Sequence, residues 1–177
     1  MTEGSNAPLT SPFSVHMTDK GEVSREGWRV REATVDDAAR VAAAVGELLV
    51  ELSGGGPPVA ELEAATRKLI EEPELGTLLV AEAEGKLVGV LAASWQHAVH
   101  VPGRYGTIQD LWVQPEWRSR AIGRDLVEAY ADLARAQGAQ RLEVGLPRED
   151  FARIDATEAF YRANGFEHLG PRMRRKL

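Results

Sequence analysis

The 177-residue sequence contains no cysteine, and aromatic residues make up only 6% of it. The absence of cysteine excludes a disulfide framework, a thiolate nucleophile and a zinc site with cysteine ligands. The four histidines lack the close spacing of a metal site, so we expect no metal. The longest apolar run is far shorter than the ~20 residues of a membrane span, and residues 1–27 lack the apolar core of a signal peptide. These absences predict a cytoplasmic protein that does not insert into membranes.

Excess positive charge is also absent, because the formal net charge is −6. Contacts to nucleic-acid phosphates need clustered basic residues, so the composition argues against a nucleic-acid partner. Residues 1–103 hold 8 Lys and Arg against 16 Asp and Glu, whereas residues 104–177 hold 13 against 11. This asymmetry suits a cationic and an anionic ligand bound side by side, and it equally suits an uneven surface without function.

The length and the hydrophobic fraction of 44% predict one folded domain. Residues 1–27 are rich in Ser, Thr, Pro and Gly and are predicted to be a flexible N-terminal arm. Periodic patterns begin at Trp28, and residues 28–177 are predicted to form one α/β domain with a mixed central sheet flanked by helices.

The strand and helix patterns follow the order β-α-α-β-β-β-α-β-α-β-β. Strands are predicted at Trp28–Ala33, Thr77–Ala83, Lys86–Trp95, Gly106–Val113, Leu142–Leu146, Phe166–His168 and Met173–Lys176. Helices are predicted from a Thr34 cap to Ser53, over Val59–Glu71, from about Ile122 to Gly138, and from an Asp155 cap through Tyr161. His97–Gly103 is predicted to be a loop.

The segment Ile108–Arg124 combines a strand, a short turn and the start of a helix, with small residues at positions 119, 121 and 123. The first N–H groups of a helix have no intrahelical partner and attract anions, and small side chains let a phosphate approach them. Three nearby arginines add positive charge: Arg118, Arg120 and Arg124. The segment therefore predicts a pyrophosphate site, although a plain connection with solvated arginines has the same pattern. The glycine patterns of dinucleotide and nucleoside triphosphate sites are absent.

The same segment resembles the acetyl-CoA signature of the GNAT (Gcn5-related N-acetyltransferase) superfamily, Arg/Gln-x-x-Gly-x-Gly/Ala, with Arg118, Ala121 and Gly123 at its three positions. The later stretch Ala159–Phe166 is similar to that family's A-x-x-[FL]-Y-x-x-x-G-F element. The resemblance covers about residues 28–177. Two residues depart from the family pattern, since Ala121 replaces the usual glycine and Ile154 stands where an asparagine is often found.

The resemblance implies a GNAT-like domain in which two splayed strands form the acyl-CoA cleft. Backbone groups of Leu111, Trp112 and Val113 would pair with the pantetheine arm of the donor. The backbone amides from Arg118 to Arg124 would hold the pyrophosphate: Arg118, Ser119, Arg120, Ala121, Ile122, Gly123 and Arg124. Tyr161 would protonate the departing thiolate, unless it serves only in helix packing.

The implied reaction is direct attack of an amine on acetyl-CoA without a covalent enzyme intermediate, and it requires a base. The candidate bases are Asp110, which we place first, and Glu143, Gln109, His97 and His100. The implied acceptor pocket would draw on Glu47, Glu51, Glu61, Trp95 and His97. Acidic and aromatic groups suit a small cationic amine, although the glutamates could simply be the solvated faces of amphipathic helices.

The sequence thus predicts an acetyl-CoA-dependent N-acetyltransferase acting on a small-molecule amine. A protein or peptide N-acetyltransferase and a non-catalytic acyl-CoA sensor remain as alternatives. No metal, nucleic-acid or membrane partner is expected, and exposed sheet edges allow a homodimer.

Overall fold

The computed structural model describes residues 16–17, 23–25, 27–170 and 175. In these ranges the strands are β1 His16–Met17, β2 Val23–Arg25, β3 Trp28–Glu32, β4 Gly76–Ala83, β5 Lys86–Ala98, β6 Val101–Val113 and β7 Leu142–Val144. The helices are α1 Ala38–Ser53, α2 Val59–Glu71, α3 Ile122–Ala136 and α4 Ile154–Ala163. Short 3₁₀ turns precede α1 at Val35–Asp37 and α3 at Pro115–Trp117.

The strands form one sheet in the order β1 to β7, with every neighbouring pair antiparallel except the last. Strand β7 runs parallel to β6 because helix α3 connects them as a crossover. One sheet face packs against α1 and α2, and the other face packs against α3 and the aromatic residues of α4. The prediction of one α/β domain with a mixed, helix-flanked sheet is confirmed.

Alternation along the strands separates two apolar cores. Val80, Val90 and Trp112 pack with Val41 and Val45 of α1 on one face of the sheet. On the opposite face, the strand residues pack with the apolar stripe of α3, whose members are Ile122, Leu126, Val127, Tyr130 and Ala134. Period-two strands and a period-3.6 helix each present one apolar side, which is why the two layers stack.

The predicted loop at His97–Gly103 is wrong. Strand β5 continues to Ala98 and β6 begins at Val101, so only a two-residue turn separates them. Proline and glycine at positions 102 and 103 suggested a loop, but they lie within the hairpin at a register shift, between the pairs Ala98–Val101 and His97–Arg104, and have no partner on β5.

Three further boundaries at the C-terminal end differ from the prediction. Strand β7 ends at Val144, and α4 is preceded by Arg153 rather than capped by Asp155. The predicted strand at Phe166–His168 is absent, because the Phe166 N–H donates to the carbonyl of Tyr161 and closes the end of α4. The predicted strand Met173–Lys176 lies outside the described residues, apart from Arg175, which is in neither strand nor helix.

The predicted N-terminal arm is described only at two short strands and Gly27. Strand β1 pairs with β2, and β2 pairs with β3, so these pieces extend the edge of the sheet. The remainder of residues 1–26 lies outside the described part. No helix in the described ranges is long and apolar enough to cross a membrane.

A buried ion network joins β3, β4 and the start of α1. Arg31 donates to Asp37 at 2.7 Å and to Glu82 at 2.7 Å, and Asp37 also accepts from the backbone N–H of Thr34 at 2.8 Å. Burial opposes the charge of Asp37, but these hydrogen bonds prevail and hold its pKa well below the ordinary value. Hydrogen bonding from Arg31 also lowers the pKa of Glu82, to about 2.

This network makes the free energy of unfolding depend on pH. Since the folded-state pKa of Glu82 lies below its value of 4.5 in an unfolded chain, the unfolded state binds more protons between these values. We expect the free energy of unfolding to be constant above about pH 5 and to fall by roughly 3 kcal/mol as pH drops towards 2, from this group alone. Urea unfolding between pH 6 and pH 2 measures it. Glu82→Gln should flatten the dependence, whereas Glu61→Gln, at an exposed glutamate, should leave it as steep as in the parent.

Candidate active site

A gap opens between β6 and β7. The two strands pair only at Gly106–Leu142, Thr107–Glu143 and Ile108–Val144, and β6 then continues for five residues without β7 beside it. At this point β6 also bulges, because Ala92 and Ala93 of β5 pair with Asp110 and Ile108, which leaves Gln109 unpaired. A bulge bends a strand and increases its twist, so it helps to turn β6 away from β7.

The ladder between β5 and β6 decides which backbone groups face this gap. The N–H of Gln114 donates to the carbonyl of Val88 on β5. Because the hydrogen-bonding direction alternates along a strand, the backbone N–H and C=O of Trp112 also point to β5, whereas those of Leu111 and Val113 point to the gap. The expectation that Trp112 pairs with pantetheine therefore does not fit this ladder. Leu111 and Val113 present backbone groups to the gap, and the Val113 carbonyl already accepts from Nε of Arg118 at 2.9 Å.

The loop between β6 and α3 has an unusual backbone. Ser119 and Ala121 have φ values of 63° and 70°, the left-handed region, while Arg118 has φ −65°. Alternation of handedness turns successive N–H groups to one side and forms an anion-binding concavity. Within the described chain, the N–H groups of residues 119–124 donate no hydrogen bond, whereas that of Arg118 donates to the carbonyl of Pro115.

The N-terminus of α3 also lacks a side-chain cap. Ala121 occupies the N-cap position and has no side-chain oxygen that could accept from the first N–H groups. Six unpartnered N–H groups at an uncapped helix start can donate to the negatively charged oxygens of a pyrophosphate. The residues present therefore fit the diphosphate of an acyl-CoA.

The three arginines of the signature do not act alike. Arg118 forms a bidentate ion pair with Glu51 at the end of α1, at 2.7 and 3.1 Å, and this contact lowers the pKa of Glu51. The guanidinium of Arg120 stacks over the ring of Trp117, 4.8 Å from its centre. Arg124 is half-exposed. Arg118 therefore braces the loop, whereas Arg120 stacks on Trp117 and Nε of Arg124 lies 3.7 Å from Oδ1 of Asp125.

Gly123 serves the packing of α4 against this loop. A Cβ at Gly123 would lie 3.3 Å from the ring of Phe160 and 3.7 Å from Cγ2 of Val113. The first contact is tighter than ordinary van der Waals distance, so glycine allows α4 to approach the start of α3. This close approach places the neighbouring Tyr161 beside the gap.

Replacing Ala121 by glycine should stabilise the protein. The left-handed conformation costs an alanine about 1–2 kcal/mol and costs glycine almost nothing. We expect Ala121→Gly to raise the free energy of unfolding by about 0.5–1 kcal/mol in urea titrations, after the extra freedom of glycine in the unfolded chain is counted. Ala131→Gly, inside the same helix, should instead lower it by about 1 kcal/mol. A loss of stability with Ala121→Gly would contradict the strained conformation.

Tyr161 of α4 lies between two aromatic rings. Its ring centre is 5.1 Å from that of Phe160 and 5.4 Å from that of Phe166, in edge-to-face geometry. Only 7% of the residue is exposed, and it belongs to the core on the α3 side of the sheet. Burial, and secondarily the charge of Asp110, raises the pKa of the Tyr161 hydroxyl well above the ordinary value of 10, so it stays protonated at neutral pH.

Asp110 approaches the gap from the opposite face of the sheet. It pairs in register with Ala92, which packs in the core under α1. Burial raises the pKa of its carboxyl group. Within the described part of the chain, this carboxylate has no hydrogen bond or ion pair. A partly buried, unpaired carboxylate with a raised pKa is typical of a functional group.

The model of the acetyltransferase (GNAT) family matches residues 46–166, which is more than half of the chain. The chain belongs to the GNAT family. An IAA acetyltransferase of Azospirillum brasilense is 32% identical over 144 residues, which span 80% of this chain and 84% of that protein. The protein is accordingly an acetyl-CoA-dependent N-acetyltransferase.

Solved structures show the same fold in proteins with different acceptors. An aminoglycoside acetyltransferase from an uncultured soil sample superposes with a TM-score of 0.70 at 20% identity, covering 86% of this chain and 97% of its own. A ribosomal-protein-alanine N-acetyltransferase of Brucella melitensis superposes with a TM-score of 0.67 at 17% identity, covering 84% and 99%. At these identities the likeness extends to the GNAT fold alone.

Several predicted residues of this GNAT domain lie away from the gap. His97 pairs with Arg104, six residues along β6 from Asp110 and so about 20 Å away, and His100 is in the turn beyond it. Neither histidine can be the base. Trp95 packs against Tyr130 in the core under α3, with ring centres 5.6 Å apart, and is not in an acceptor pocket.

Most of the predicted acidic site residues of this GNAT domain are either already paired with an arginine or exposed on a helix. Glu143 is 8% exposed and forms an ion pair with Arg141 at 2.7 Å, which makes its carboxylate a weaker base candidate than that of Asp110. Glu51 is paired with Arg118, and Glu47 and Glu61 are exposed on α1 and α2. Of the predicted site residues, the fold brings Asp110, Tyr161 and the 118–124 loop to the same gap.

Sequence reasoning about this GNAT domain missed Ser94 and Gln96 of β5. Both lie on the sheet face that carries Asp110. Their neighbours on β5, Ala93 and Trp95, pack in the core on the other face, under α3. Strict alternation along β5 could have separated these two polar residues from their apolar neighbours. It could not have shown that β6 bulges at Gln109 and sends that side chain to Ser94.

Proposed function

We propose that this GNAT protein transfers the acetyl group of acetyl-CoA to the primary amine of a small molecule by direct attack. The observation that supports this most is the position of Asp110 and Tyr161, which approach the gap between β6 and β7 from opposite sheet faces. Burial is the main cause of the raised pKa of Tyr161, and the charge of Asp110 adds to it, which supports a short separation between the two groups. One group is therefore available to the entering amine and the other to the departing sulfur.

Asp110 prepares the acceptor. An amine arrives as an ammonium ion, which cannot attack a carbonyl carbon until it loses a proton. An unpaired carboxylate attracts that cation, and a raised pKa makes Asp110 a stronger base than an ordinary aspartate. Asp110 takes one proton from the ammonium group and passes it to solvent.

Tyr161 assists the leaving group. As the amine nitrogen bonds to the thioester carbonyl carbon, the C–S bond breaks and the sulfur takes the hydroxyl proton of Tyr161. The second proton that the nitrogen gives up restores the tyrosine. The products are the N-acetylated amine and free coenzyme A thiol, with one proton released to solvent, so no protein nucleophile is needed.

The loop between β6 and α3 would hold the donor acetyl-CoA. The unpartnered N–H groups of residues 119–124 would donate to the oxygens of the pyrophosphate. The backbone of Leu111 and Val113 lies along the gap where the pantetheine arm would pair. Acetyl-CoA supplies the activated acyl group when it is bound, and these backbone groups only orient it.

Calorimetry and a thiol-release assay together test the proposal. We expect micromolar binding of acetyl-CoA to the purified protein, and release of free thiol with at least one class in a panel of small primary amines. Binding with release only from peptide substrates would replace the small amine by a protein acceptor. Binding without any release would favour an acyl-CoA sensor, and the absence of binding would overturn the donor site.

A further inference from the structure

A second polar cluster lies on the α1-facing side of the sheet beside Asp110. Gln96 and Gln109 both donate from Nε2 to Oγ of Ser94, at 2.9 and 2.8 Å. Gln109 is the bulged residue of β6, so the bulge that opens the gap also brings its side chain over β5. We refer to Ser94, Gln96 and Gln109 as the amide cluster.

The amide cluster lies at the edge of the sheet area that helices α1 and α2 cover. Gly76 of β4 is the register partner of Ser94, and Leu69 of α2 lies over Gly76 close enough that a Cβ there would contact its Cδ1. Beyond this position Gln96 is half-buried and Gln109 is exposed, so solvent reaches the cluster. Asp110 pairs with Ala92, two residues before Ser94 on the same face, which puts the carboxylate about 7 Å away along the strand.

The hydrogen-bonding capacity left in the cluster defines what it can bind. The Ser94 oxygen already accepts two N–H groups, which fill its two acceptor positions and leave its hydroxyl proton to donate. Neither glutamine amide oxygen accepts a hydrogen bond from another residue in the described ranges. The cluster therefore offers two neutral acceptors, the glutamine oxygens, and three donors, the Ser94 hydroxyl and one N–H of each glutamine, next to an unpaired carboxylate.

We propose that the amide cluster is an acceptor subsite that selects primary amines with a hydroxyl group near the nitrogen, such as amino alcohols or amino sugars. A hydroxyl group can donate to a glutamine oxygen and accept from Ser94 while the ammonium group meets Asp110. A hydrocarbon in its place makes neither contact and leaves these polar groups desolvated. This inference rests on the proposed small-amine function and names the acceptor class.

Matched amine pairs test the subsite in the full-length protein. The pairs are 2-aminoethanol with propylamine, and trans-2-aminocyclohexanol with cyclohexylamine, each assayed by thiol release for kcat/KM. We expect the hydroxylated member to be preferred by about tenfold, the worth of one or two net hydrogen bonds. Ser94→Ala and Gln96→Leu should each reduce the preference to about twofold. Gln140→Leu, at an exposed glutamine outside the cluster, should retain it.

The possible outcomes distinguish failure of the subsite from failure of the small-amine function. Equal kcat/KM within both pairs, or a preference that survives both cluster variants, overturns the subsite while the N-acetyltransferase function stands. Loss of the preference in Gln140→Leu as well would show that the effect does not belong to the cluster. If no amine of either pair accelerates thiol release, the small-amine function fails, and the subsite fails with it.

Discussion

Tyr161→Phe is expected to lower kcat for acetyl transfer by about 100-fold or more, while the dissociation constant for acetyl-CoA changes less than threefold. The substitution removes the only proton that the residue can give to the departing sulfur, and general-acid catalysis contributes a factor of 10² to 10⁴. The ring remains between Phe160 and Phe166, so the packing of α4 is retained. Thiol release measures kcat, and calorimetry measures donor binding.

Tyr130→Phe is the matched control for this variant. Tyr130 is also a buried tyrosine whose pKa is raised by burial, but it belongs to α3 and its hydroxyl group lies against Gly106. Its hydroxyl oxygen is buried without a hydrogen-bond partner in the described structure, so its removal should cost no activity. If Tyr161→Phe retained the parent kcat, Tyr161 would be a packing residue and not the acid.

Asp110→Asn should reduce kcat/KM for the amine by about 100-fold, because the amide is isosteric but neither attracts an ammonium group nor accepts its proton at neutral pH. The parent protein should also lose activity as acid protonates this group. Burial raises the pKa of Asp110, so that decline should begin at a higher pH than for a solvated aspartate. A pH profile of kcat/KM measures both effects.

The acid limb of that profile identifies the group. In Asp110→Asn the limb assigned to this carboxylate should disappear, leaving only the ionisation of the amine and the acid unfolding that the Glu82 network causes. Asp132→Asn, at a surface aspartate paired with Arg135, should keep the parent profile. An unchanged acid limb in Asp110→Asn would move the role of base to another residue, with Glu143 as the next candidate.

Some of this site could be predicted from sequence because its chemistry depends on the local backbone. Small residues at the start of α3, followed by Gly123, encode a loop whose N–H groups stay free for phosphate whatever surrounds them. The resemblance of Ala159–Phe166 to the late GNAT element likewise predicts Tyr161 as an acid on a later helix. The Ala121 departure is also local, since the left-handed backbone that the glycine usually serves is retained with alanine.

Other features depended on register and contact between distant segments. Alternation could not show on which side of the sheet Trp95 or Asp110 lies, and a one-residue bulge at Gln109 changes the face of everything beyond it. The contact between Arg118 and Glu51 joins residues 67 positions apart, so no local pattern predicts that Arg118 is a brace. His97 and His100 were misjudged because a long hairpin places them far from the gap.

The sequence by itself determined the family, through its two motifs, and the α/β class, because hydrophobic periodicity acts over a few neighbouring residues. It also predicted a phosphate site at the start of α3 from the chemistry of helix starts. The tertiary structure alone decided which carboxylate stands unpaired at the gap, which arginine is engaged, and which polar side chains meet at Ser94. Those outcomes depend on strand register, on the bulge in β6 and on the packing of Phe160 against Gly123. They arise from contacts between segments far apart in the chain, whose free energies no single segment contains.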